Sequence, residues 1–246
     1  MEAEFQGKRI LVTGGARGLG EAIVRAFSKL GATVFALDRE AEELSKLKES
    51  LPEVQTIVVD LLDWNSTKRA VEGIAPIHHL VNNAGVFGGS HKLVDVDEKR
   101  IETIMGINFK SVVNVSQTVV QGLVSSNAGG GTIVNISSVL SGQPFLNTSM
   151  YCCSKAALSM LTKCQAIEFG PNNVRVNSIR PTVMKTGLVT NPVEFQYLTD
   201  NLQNNQIISK LLEASEAAEL VVFLSSSKSA MITGEEVVID GGYLLH

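Results

Sequence analysis

Tyr151 and Lys155 stand four residues apart in the stretch SMYCCSKAALSMLTK, residues 149–163. If this stretch is helical, both side chains lie on one face of the helix, one turn apart. A phenol with its usual pKa of about 10 is a poor acid–base catalyst at neutral pH. A nearby ammonium and a second positive charge would favour the phenolate and lower that pKa. Alone, such a pair is more often a surface pair than a catalytic one, so its meaning depends on its surroundings.

Two features elsewhere in the chain strengthen the chemical interpretation of this pair. Ser138 follows the apolar run TIVNIS, thirteen residues before Tyr151, where its hydroxyl could polarise a carbonyl group. Near the N-terminus, VTGGARGLG joins a short apolar run to a helical pattern. Glycines in such a turn let the backbone approach a pyrophosphate at the helix N-terminus. This context predicts dinucleotide binding through Gly14, Gly18 and Gly20, although a glycine loop can also be only a tight turn.

The end of the second apolar run indicates which dinucleotide binds. Asp38 lies about 20 residues beyond the glycines, where an acidic side chain typically accepts hydrogen bonds from the adenosine ribose hydroxyls. Its carboxylate, with Glu40 nearby, would repel a 2′-phosphate and therefore favours NAD(H). Arg17 and Arg39 favour NADP(H), because either guanidinium could pair with that phosphate. We predict NAD(H), with NADP(H) as the alternative. A solvated strand end that binds no ligand is the less favoured interpretation of Asp38 and Arg39.

An alternation of apolar runs and amphipathic segments must position these residues. The predicted strands are KRILVT, ATVFALD, QTIVVDL, IHHLVNNAG, TIVNIS, VRVNSIRP and EEVVID. The predicted helices are 18–30, 41–50, 64–74, 96–127, 149–169 and 215–226, with a variable segment at 182–214. The strands are near-continuously apolar, as strands covered on both faces are, and short connections imply parallel strands joined by right-handed crossovers.

These elements predict one α/β domain over residues 1–246, since no linker rich in proline or serine divides the chain. We expect a single-domain, Rossmann-type, doubly wound parallel sheet of about seven strands, with helices on both faces. The segment near 187–214 is expected to bind the substrate.

Taken together, the motifs resemble those of the short-chain dehydrogenase/reductase family along essentially the whole chain. They are TGGARGLG at 13–20, Asp60 in VVDL, NNAG at 82–85, Asn108 in GINFKSV, Ser138 in NISSV, YCCSK at 151–155 and RPTVMKT at 180–186. Within the family, VDLLDWNSTKRAVEGIAPIHHLVNNAG and MLTKCQAIEFGPNNVRVNSIRPTVMKTG are most similar to the carbonyl reductase and L-xylulose (dicarbonyl) reductase group. The resemblance implies hydride transfer between a nicotinamide cofactor and a carbonyl or secondary alcohol.

The resemblance also implies roles for individual residues. Tyr151 would be the general acid/base, and Lys155 would lower its pKa and hold the ribose. Ser138 would orient the carbonyl, while Asn108 would sit in a helix kink and hold the water of a proton relay. The implied cofactor contacts are Gly14, Arg17, Gly18, Leu19, Gly20, Asp38, Arg39, Asp60, Leu61, Asn83, Ala84, Gly85, Tyr151, Lys155, Pro181, Met184 and Thr186. Asp60 and Leu61 would face the adenine, and Met184 and Thr186 the nicotinamide carboxamide.

Three features depart from the pattern of that group. Asp38 stands where the group, which looks NADP-dependent, has a small hydroxylated residue. The loop after Ser138 is largely apolar, which favours a lipophilic ketone, diketone or steroid over an open-chain sugar. Its large apolar side chains are Val139, Leu140, Phe145 and Leu146. Arg180 replaces a small polar residue before Pro181, and no role for it follows from the sequence.

Composition and charge restrict the other possibilities. With 44% hydrophobic and 19% charged residues and a formal net charge of −4, the chain has the balance of a soluble globular protein, and nothing electrostatic favours nucleic acid or anionic membranes. No apolar run could span a membrane, and the start MEAEFQGKRI lacks the features of a secretory signal, so we expect the cytoplasm. The long predicted helices exceed what the sheet needs to cover, and together with the resemblance they predict a homotetramer.

The cysteines and histidines predict no metal site. Cys152, Cys153 and Cys164 form no CxxC pair, and the four histidines have no ligand spacing to them. The adjacent cysteines are interpreted as packing residues on the helix flanks, with a reactive thiol beside Tyr151 as the alternative.

Other functions compete with hydride transfer on a carbonyl compound. A catalytically retired nucleotide-binding scaffold would keep the fold, but it has no physical need for Asn108, Ser138, Tyr151 and Lys155 together. A hydroxysteroid-type dehydrogenase would share the chemistry and differ in substrate. A serine hydrolase would need a nucleophile elbow, and the chain has no GxSxG and no histidine near Ser138.

Overall fold

The apolar runs of the sequence form one seven-stranded sheet, which confirms the predicted α/β class. The computed structural model describes residues 2–245, with side chains from residue 4, so Met1 and His246 at the ends of the expected domain lie outside it. The strands are β1 (Arg9–Thr13), β2 (Thr33–Asp38), β3 (Gln55–Val58), β4 (His79–Asn82), β5 (Gly131–Ile136), β6 (Val174–Pro181) and β7 (Glu236–Ile239). Their order is β3-β2-β1-β4-β5-β6-β7, and neighbouring strands are parallel.

Helices follow the strands on both faces of the sheet. The α-helices are α1 (Glu2–Phe5), α2 (Gly18–Lys29), α3 (Ala41–Ser50), α4 (Trp64–Glu72), α5 (Glu98–Met105), α6 (Ser111–Ser125), α7 (Ser149–Phe169), α8 (Pro192–Leu202) and α9 (Ala214–Ser225). Short 3-10 turns are Leu93–Asp95, Val139–Ser141, Gly170–Asn172, Gln203–Asn205, Ser227–Ser229 and Tyr243–Leu245. The predicted helix 149–169 is present over its full length.

Each face of the sheet has its own apolar core. One face packs against α2, α3 and α9 through buried side chains such as Phe27 and Val221. The other packs against α4, α6 and α7 through side chains such as Val119 and Leu123. Burial on both sides explains why the central strands are continuously apolar, while the edge strands β3 and β7 are only partly buried.

The order of the strands determines where a ligand can bind. The chain fills one half of the sheet from β1 to β3 and then returns to place β4 beside β1. Connections from β1 and β4 diverge to opposite faces and leave a crevice at the carboxyl ends of these strands, which is where doubly wound sheets bind ligands. The glycine loop follows β1, and the NNAG motif ends β4, so both motifs border this crevice.

Two predicted segments are divided further in the structure. The predicted helical region 96–127 is present as a continuous run from Glu98 to Ser125, and a π turn at Gly106–Lys110 divides it into α5 and α6. This turn lies where the resemblance implies a kink and carries Asn108. A Cβ atom on Gly106 would lie 2.5 Å from the side chain of Leu62, so glycine permits this close approach. The variable segment 182–214 contains α8, which begins with the Asn191 side chain accepting from Val193 N at 2.9 Å and with Pro192 in the first turn.

Candidate active site

A cavity of about 380 Å³ opens at the carboxyl ends of the strands. It extends from the glycine loop and Asp38 to the side chains of Ser138 and Tyr151. Every residue predicted above for the cofactor or the chemistry lines this cavity, with the exceptions of Gly18 and Asn108. Gly14 and Thr186, which are 172 positions apart in the sequence, are therefore brought to the same cavity by the edge of the sheet.

The glycine loop is built around two very close backbone approaches. A Cβ atom on Gly20 would lie 1.9 Å from the carbonyl oxygen of Gly14, so no other residue fits without moving the backbone. Gly18 has a φ of +58°, and a Cβ there would lie 2.6 Å from the carbonyl oxygen of Thr186. Gly18 therefore packs against the segment after β6 rather than lining the cavity. The bare backbone at the start of α2 has the shape that a pyrophosphate requires.

The NNAG motif ties this loop to the end of β4. The Asn83 side chain donates through Nδ2 to the carbonyl oxygens of Thr13 at 3.0 Å and Gly14 at 2.9 Å. In return, the Thr13 hydroxyl oxygen accepts from the backbone amides of Asn83 and Ala84, both at 3.1 Å. These bonds fix the two loops on either side of the crevice relative to each other.

The carboxylate of Asp38 is held at the end of β2 by backbone amides. Its Oδ2 accepts from Ala16 N and its Oδ1 from Glu40 N, each at 3.2 Å. Arg39 forms an exposed ion pair with Glu40 at 3.0 Å. The negative charge of Asp38 is thus fixed at the cavity, while the guanidinium of Arg39 is paired with the neighbouring carboxylate.

Tyr151 and Lys155 lie one turn apart on α7, and both side chains are buried, with 7% and 4% exposed. Lys155 Nζ donates to the carbonyl oxygen of Ile136 at 2.8 Å. Burial lowers the pKa of Lys155 to about 8. Burial also raises the pKa of Tyr151 to about 12, a shift that the neighbouring Ser138 side chain partly opposes. Desolvation of the phenolate thus dominates the Tyr151 pKa in the protein without cofactor. The expectation that Lys155, together with an oxidised nicotinamide, lowers this pKa stays a prediction.

Ser138 begins the 3-10 turn Val139–Ser141, and its hydroxyl has a defined orientation. Its Oγ accepts from Leu140 N at 3.1 Å, so the hydroxyl hydrogen remains available to a ligand. Arg180 donates to the backbone of the same turn, from Nε to Ser138 O at 3.3 Å and from Nη2 to Val139 O at 3.1 Å.

Asn108 is fully buried and does not reach the cavity wall. Its Oδ1 accepts from Val86 N at 2.8 Å, and its Nδ2 donates to Val86 O at 3.0 Å and to Ser154 Oγ at 2.9 Å. The side chain therefore binds the chain after NNAG to α7. Asn108 lies in the expected kink, and its expected role of holding the water of a proton relay stays a prediction.

The substrate end of the cavity has apolar walls that the motifs did not reveal. They include Phe87, Val183, Val189, Leu198 and Leu202. The Phe87 ring meets that of Tyr151 edge to face, with centroids 5.3 Å apart. The spacing of Leu198 and Leu202, one helical turn, was a readable signal once α8 was recognised. Glu194 on α8 accepts from Ser90 N at 2.6 Å and so ties this helix to the chain after β4.

The apolar loop after Ser138 contributes only partly to these walls. Val139 and Leu140 are buried and line the cavity. Phe145 is partly buried and packs against the same cluster, and Leu146 is 69% exposed, so only part of the apolar loop borders the cavity.

The adjacent cysteines differ from each other. Cys152 is partly buried and packs against the apolar cluster that contains Tyr151 and Phe87. Its Sγ atom lies 3.2 Å from Thr148 Oγ1. Cys153 is exposed, so its interpretation as a packing residue is wrong for the single chain.

The residues at the cavity fit a nicotinamide dinucleotide. The glycine cradle would be filled by any Cβ atom, and the Lys155 ammonium retains donors beyond its bond to Ile136 O. Thr182 borders the cavity, and its buried hydroxyl oxygen has no hydrogen-bond partner among the described residues. A buried polar atom of this kind is normally satisfied, and a bound cofactor would offer it a partner. Within residues 2–245, no helix combines the length and apolar character needed to cross a membrane.

Comparison with known proteins places this geometry in context. A family profile described as enoyl-(acyl carrier protein) reductase matches residues 14–244. L-xylulose reductase of Bos taurus is 36% identical over 248 residues, covering 99% of each chain. Carbonyl reductase (NADPH) 2 of Sus scrofa is 34% identical over 244 residues, again covering 99% of each chain.

Solved structures agree with these relatives. A short chain dehydrogenase/reductase family protein superimposes with a TM-score of 0.89 at 30% identity, covering 98% of this chain and 99% of the other. The 3-ketoacyl-(acyl-carrier-protein) reductase of Brucella melitensis, complexed with NADH, superimposes with a TM-score of 0.90 at 26% identity. The match covers 97% of this chain and 99% of the Brucella chain. With such identity over the full length and the family's motifs on one cavity, the chain belongs to the short-chain dehydrogenase/reductase family and is an oxidoreductase acting on C=O or CH–OH groups.

Proposed function

We propose that the chain reduces a lipophilic ketone or dicarbonyl compound, or oxidises the corresponding secondary alcohol, with NAD(H) as its cofactor. The observation that carries this proposal is the shape of the cavity: the glycine cradle and Asp38 lie at one end, and Ser138 and Tyr151 lie between apolar walls at the other. One ligand can therefore bind at each end, with the reacting atoms meeting near Tyr151.

The bound nicotinamide supplies the hydride and, when oxidised, a positive charge. In reduction, the Tyr151 hydroxyl donates its proton to the carbonyl oxygen, and its high pKa keeps that proton in place at neutral pH. The Ser138 hydroxyl donates a hydrogen bond to the same oxygen, which becomes more negative as the hydride arrives. In oxidation the steps reverse, and Tyr151 accepts the proton of the alcohol.

Lys155 has two tasks in this mechanism. Its ammonium is anchored by Ile136 O at 2.8 Å, and its remaining N–H groups bind the ribose hydroxyls of the cofactor. Below its pKa of about 8 it also carries a positive charge that favours the Tyr151 phenolate in the oxidation direction. Asn108 positions the backbone at Val86 and the Ser154 side chain around these groups.

NAD(H) is proposed because of the fixed carboxylate at the end of β2. Both carboxylate oxygens of Asp38 accept hydrogen bonds from backbone amides, so the carboxylate cannot readily turn away from a 2′-phosphate. Arg39 is engaged by Glu40, which weakens its attraction for that phosphate. The relatives differ on this point, since the name of the pig carbonyl reductase specifies NADPH and the Brucella reductase was solved with NADH.

The substrate class follows from the walls of the cavity. Phe87, Val139, Leu140, Leu198 and Leu202 surround the reacting groups with apolar surface, which binds alkyl or aromatic substituents better than the hydroxyls of a sugar. Reduction of L-xylulose, the reaction named for the bovine relative, is the alternative, and a hydroxysteroid is another lipophilic candidate. The segment 187–214, with α8, is proposed to select among them within the single domain.

We also propose that the protein is a cytoplasmic homotetramer. Apolar side chains on α5, α6 and α7 are exposed in the single chain, among them Ile101, Val124, Met160 and Ile167. Covering these faces with copies of the same chain would remove that surface from water. Light scattering with the purified protein measures the mass, and a monomer at micromolar concentration would contradict the proposal.

The deciding experiment compares kcat/KM with NADH and NADPH across ketones, diketones, steroids and sugars. Lipophilic carbonyls are expected to be the better substrates, and Tyr151→Phe is expected to remove the activity while leaving cofactor binding measurable by fluorescence. If no carbonyl is reduced and the variant behaves as the wild type does, the chain is a nucleotide-binding scaffold instead.

A further inference from the structure

Arg180 has no part in the chemistry proposed above, yet it lies directly behind the serine that takes part. It stands near the end of β6, partly buried, and its guanidinium donates to Ser138 O at 3.3 Å and to Val139 O at 3.1 Å. A long cationic side chain thus lies on the backbone of the turn that carries Ser138.

The second of these bonds connects the guanidinium to the serine hydroxyl through one peptide group. The carbonyl of Val139 and the amide N–H of Leu140 belong to the same peptide, and Leu140 N donates to Ser138 Oγ at 3.1 Å. The chain of hydrogen bonds therefore runs from Arg180 through that peptide to Ser138. Hydrogen bonds in such a chain polarise one another, and bonds with a charged donor are the strongest.

The surroundings keep the guanidinium in this place. A Cβ atom on Gly142 would lie 2.5 Å from Arg180 Nη2, so the absence of a side chain there gives the guanidinium its space. None of the six ion pairs found among the described residues includes Arg180, so the carbonyl dipoles of the turn are the partners of its charge.

We propose that Arg180 is a positioning residue that orients the Ser138 hydroxyl and makes it a stronger hydrogen-bond donor to the reacting oxygen. The Leu140 amide, polarised by the cation, draws electron density from Ser138 Oγ, and the hydroxyl hydrogen becomes more positive. The effect is largest in the transition state, when the substrate oxygen is most negative. This inference rests on the function proposed above for Ser138.

The kinetic test compares two variants with a matched control on the same strand. Arg180→Met keeps most of the aliphatic stem and removes the charge, whereas Arg180→Lys keeps the charge with less reach. Arg175 is the control, because its guanidinium also donates to backbone carbonyls, those of Ile232, Leu224 and Ser226, at the opposite end of β6.

We expect Arg180→Met to lower kcat by about 10- to 100-fold. This loss does not exceed the loss caused by removing a direct hydrogen-bond donor to the oxyanion. The KM for the cofactor should stay unchanged. Arg180→Lys should recover part of this loss. Arg175→Met should lower stability and leave the kcat of the folded protein unchanged. In a Ser138→Ala background, Arg180→Met should not lower kcat any further, because the series of hydrogen bonds that starts at Arg180 then has no serine hydroxyl at its end.

A second measurement does not depend on turnover. Amide hydrogen exchange of Leu140, followed by NMR, should accelerate by about tenfold or more in Arg180→Met, as expected for a loosened local turn, and should stay unchanged in Arg175→Met. Gly142→Ala displaces the guanidinium while Arg180 is retained, and it should also accelerate the exchange of the Leu140 amide. This variant replaces Arg180→Met in the test if Arg180→Met folds poorly.

Unchanged protection of Leu140 in both perturbing variants would overturn the proposal, as would an equal loss of kcat in the wild-type and Ser138→Ala backgrounds. Failure of the wild type to turn over any carbonyl would instead refute the proposed function, and the exchange of Leu140 would then decide the positioning role alone.

Discussion

The Nζ atom of Lys155 lies 5.8 Å from the centroid of the Tyr151 ring, with both side chains buried on one face of α7. Burial acts on the two groups in opposite directions, lowering the pKa of the lysine to about 8 and raising that of the tyrosine to about 12. In both cases it disfavours the charged form. Without cofactor at neutral pH, the buried Lys155 ammonium therefore lowers the free energy of unfolding, and it lies beside the protonated phenol of Tyr151.

Replacing Lys155 by methionine should stabilise the protein without cofactor while removing activity. Lowering the pKa from 10.5 to about 8 corresponds to a cost of about 3 kcal/mol below pH 8, and loss of the bond to Ile136 O offsets about 1 kcal/mol. We expect a net gain of about 2 kcal/mol at pH 7 in the free energy of unfolding, measured with urea.

The pH dependence of this gain gives a further check. The folded protein releases the Lys155 proton near pH 8 and the unfolded chain near 10.5, so between these values the unfolded state binds more protons and wild-type stability rises with pH. The advantage of Lys155→Met should shrink over that window. Lys163→Met on the same helix, whose exposed ammonium pairs with Glu236 at 3.1 Å, is the control and should change little. A destabilised Lys155→Met protein at pH 7 would contradict the prediction.

The two directions of the reaction should differ in their pH dependence. Because burial holds the Tyr151 pKa high, the phenolate fraction grows about tenfold per pH unit below that pKa. The kcat/KM for alcohol oxidation should therefore rise about tenfold for each pH unit, or about 100-fold from pH 6 to 8. Carbonyl reduction, which needs the protonated phenol, should be nearly flat over the same range. Initial rates in both directions test this, and a flat oxidation profile would remove Tyr151 from the role of base.

Cofactor preference should depend on the charge at position 38. We expect the wild type to prefer NADH over NADPH, and Asp38→Asn, which keeps the shape, to shift the ratio of kcat/KM towards NADPH by about 10- to 100-fold because charge repulsion is lost. Glu40→Gln, which frees Arg39 from its ion pair, should shift the ratio in the same direction by less. A wild type that already prefers NADPH would show that the Asp38 interpretation is wrong.

The glycine cradle should tolerate no side chain at position 20. Gly20→Ala would place a Cβ atom 1.9 Å from Gly14 O, and we expect cofactor affinity to fall at least about tenfold and the free energy of unfolding to fall by about 2 kcal/mol. Gly170→Ala is the matched control, since among the described residues nothing beyond its own chain neighbours lies within 4 Å of its Cβ position and its φ is −51°. That variant should be neutral or stabilised by up to about 1 kcal/mol. Calorimetry and fluorescence titration distinguish the two, and equal effects would contradict the prediction.

The parts of the fold and site that could be predicted depend on local patterns. Each strand is one apolar run, and the glycine loop, NNAG and the Tyr151–Lys155 pair each occupy a few consecutive residues. Parallel strands bring their carboxyl ends to one edge, so the motifs that follow β1 and β4 meet there, and α7 brings Tyr151 and Lys155 to the same cavity.

The remaining features depend on contacts between distant segments. Asn108 in the π turn at Gly106–Lys110 is bonded to Val86, 22 residues earlier in the chain. The high pKa of Tyr151 is a consequence of burial, which no spacing reports. Arg180 acts on a turn that lies 41 and 42 residues earlier in the chain, so its sequence neighbours gave no indication of a role.

The bond between Glu194 and Ser90 has a consequence for how this protein can diverge. Ser138, Tyr151 and Lys155 are held by the sheet and α7, while α8 covers them from a separate stretch of chain that this carboxylate secures to the loop after β4. Leu198 and Leu202 of α8 pack in one cluster with Tyr151, so substitutions that leave these two contacts intact are the ones expected to change the substrate range without moving the reacting groups. If segment 187–214 selects the substrate as proposed, the chemistry and the substrate range are inherited through different stretches of the gene, and exchange of 187–214 between relatives is expected to change specificity.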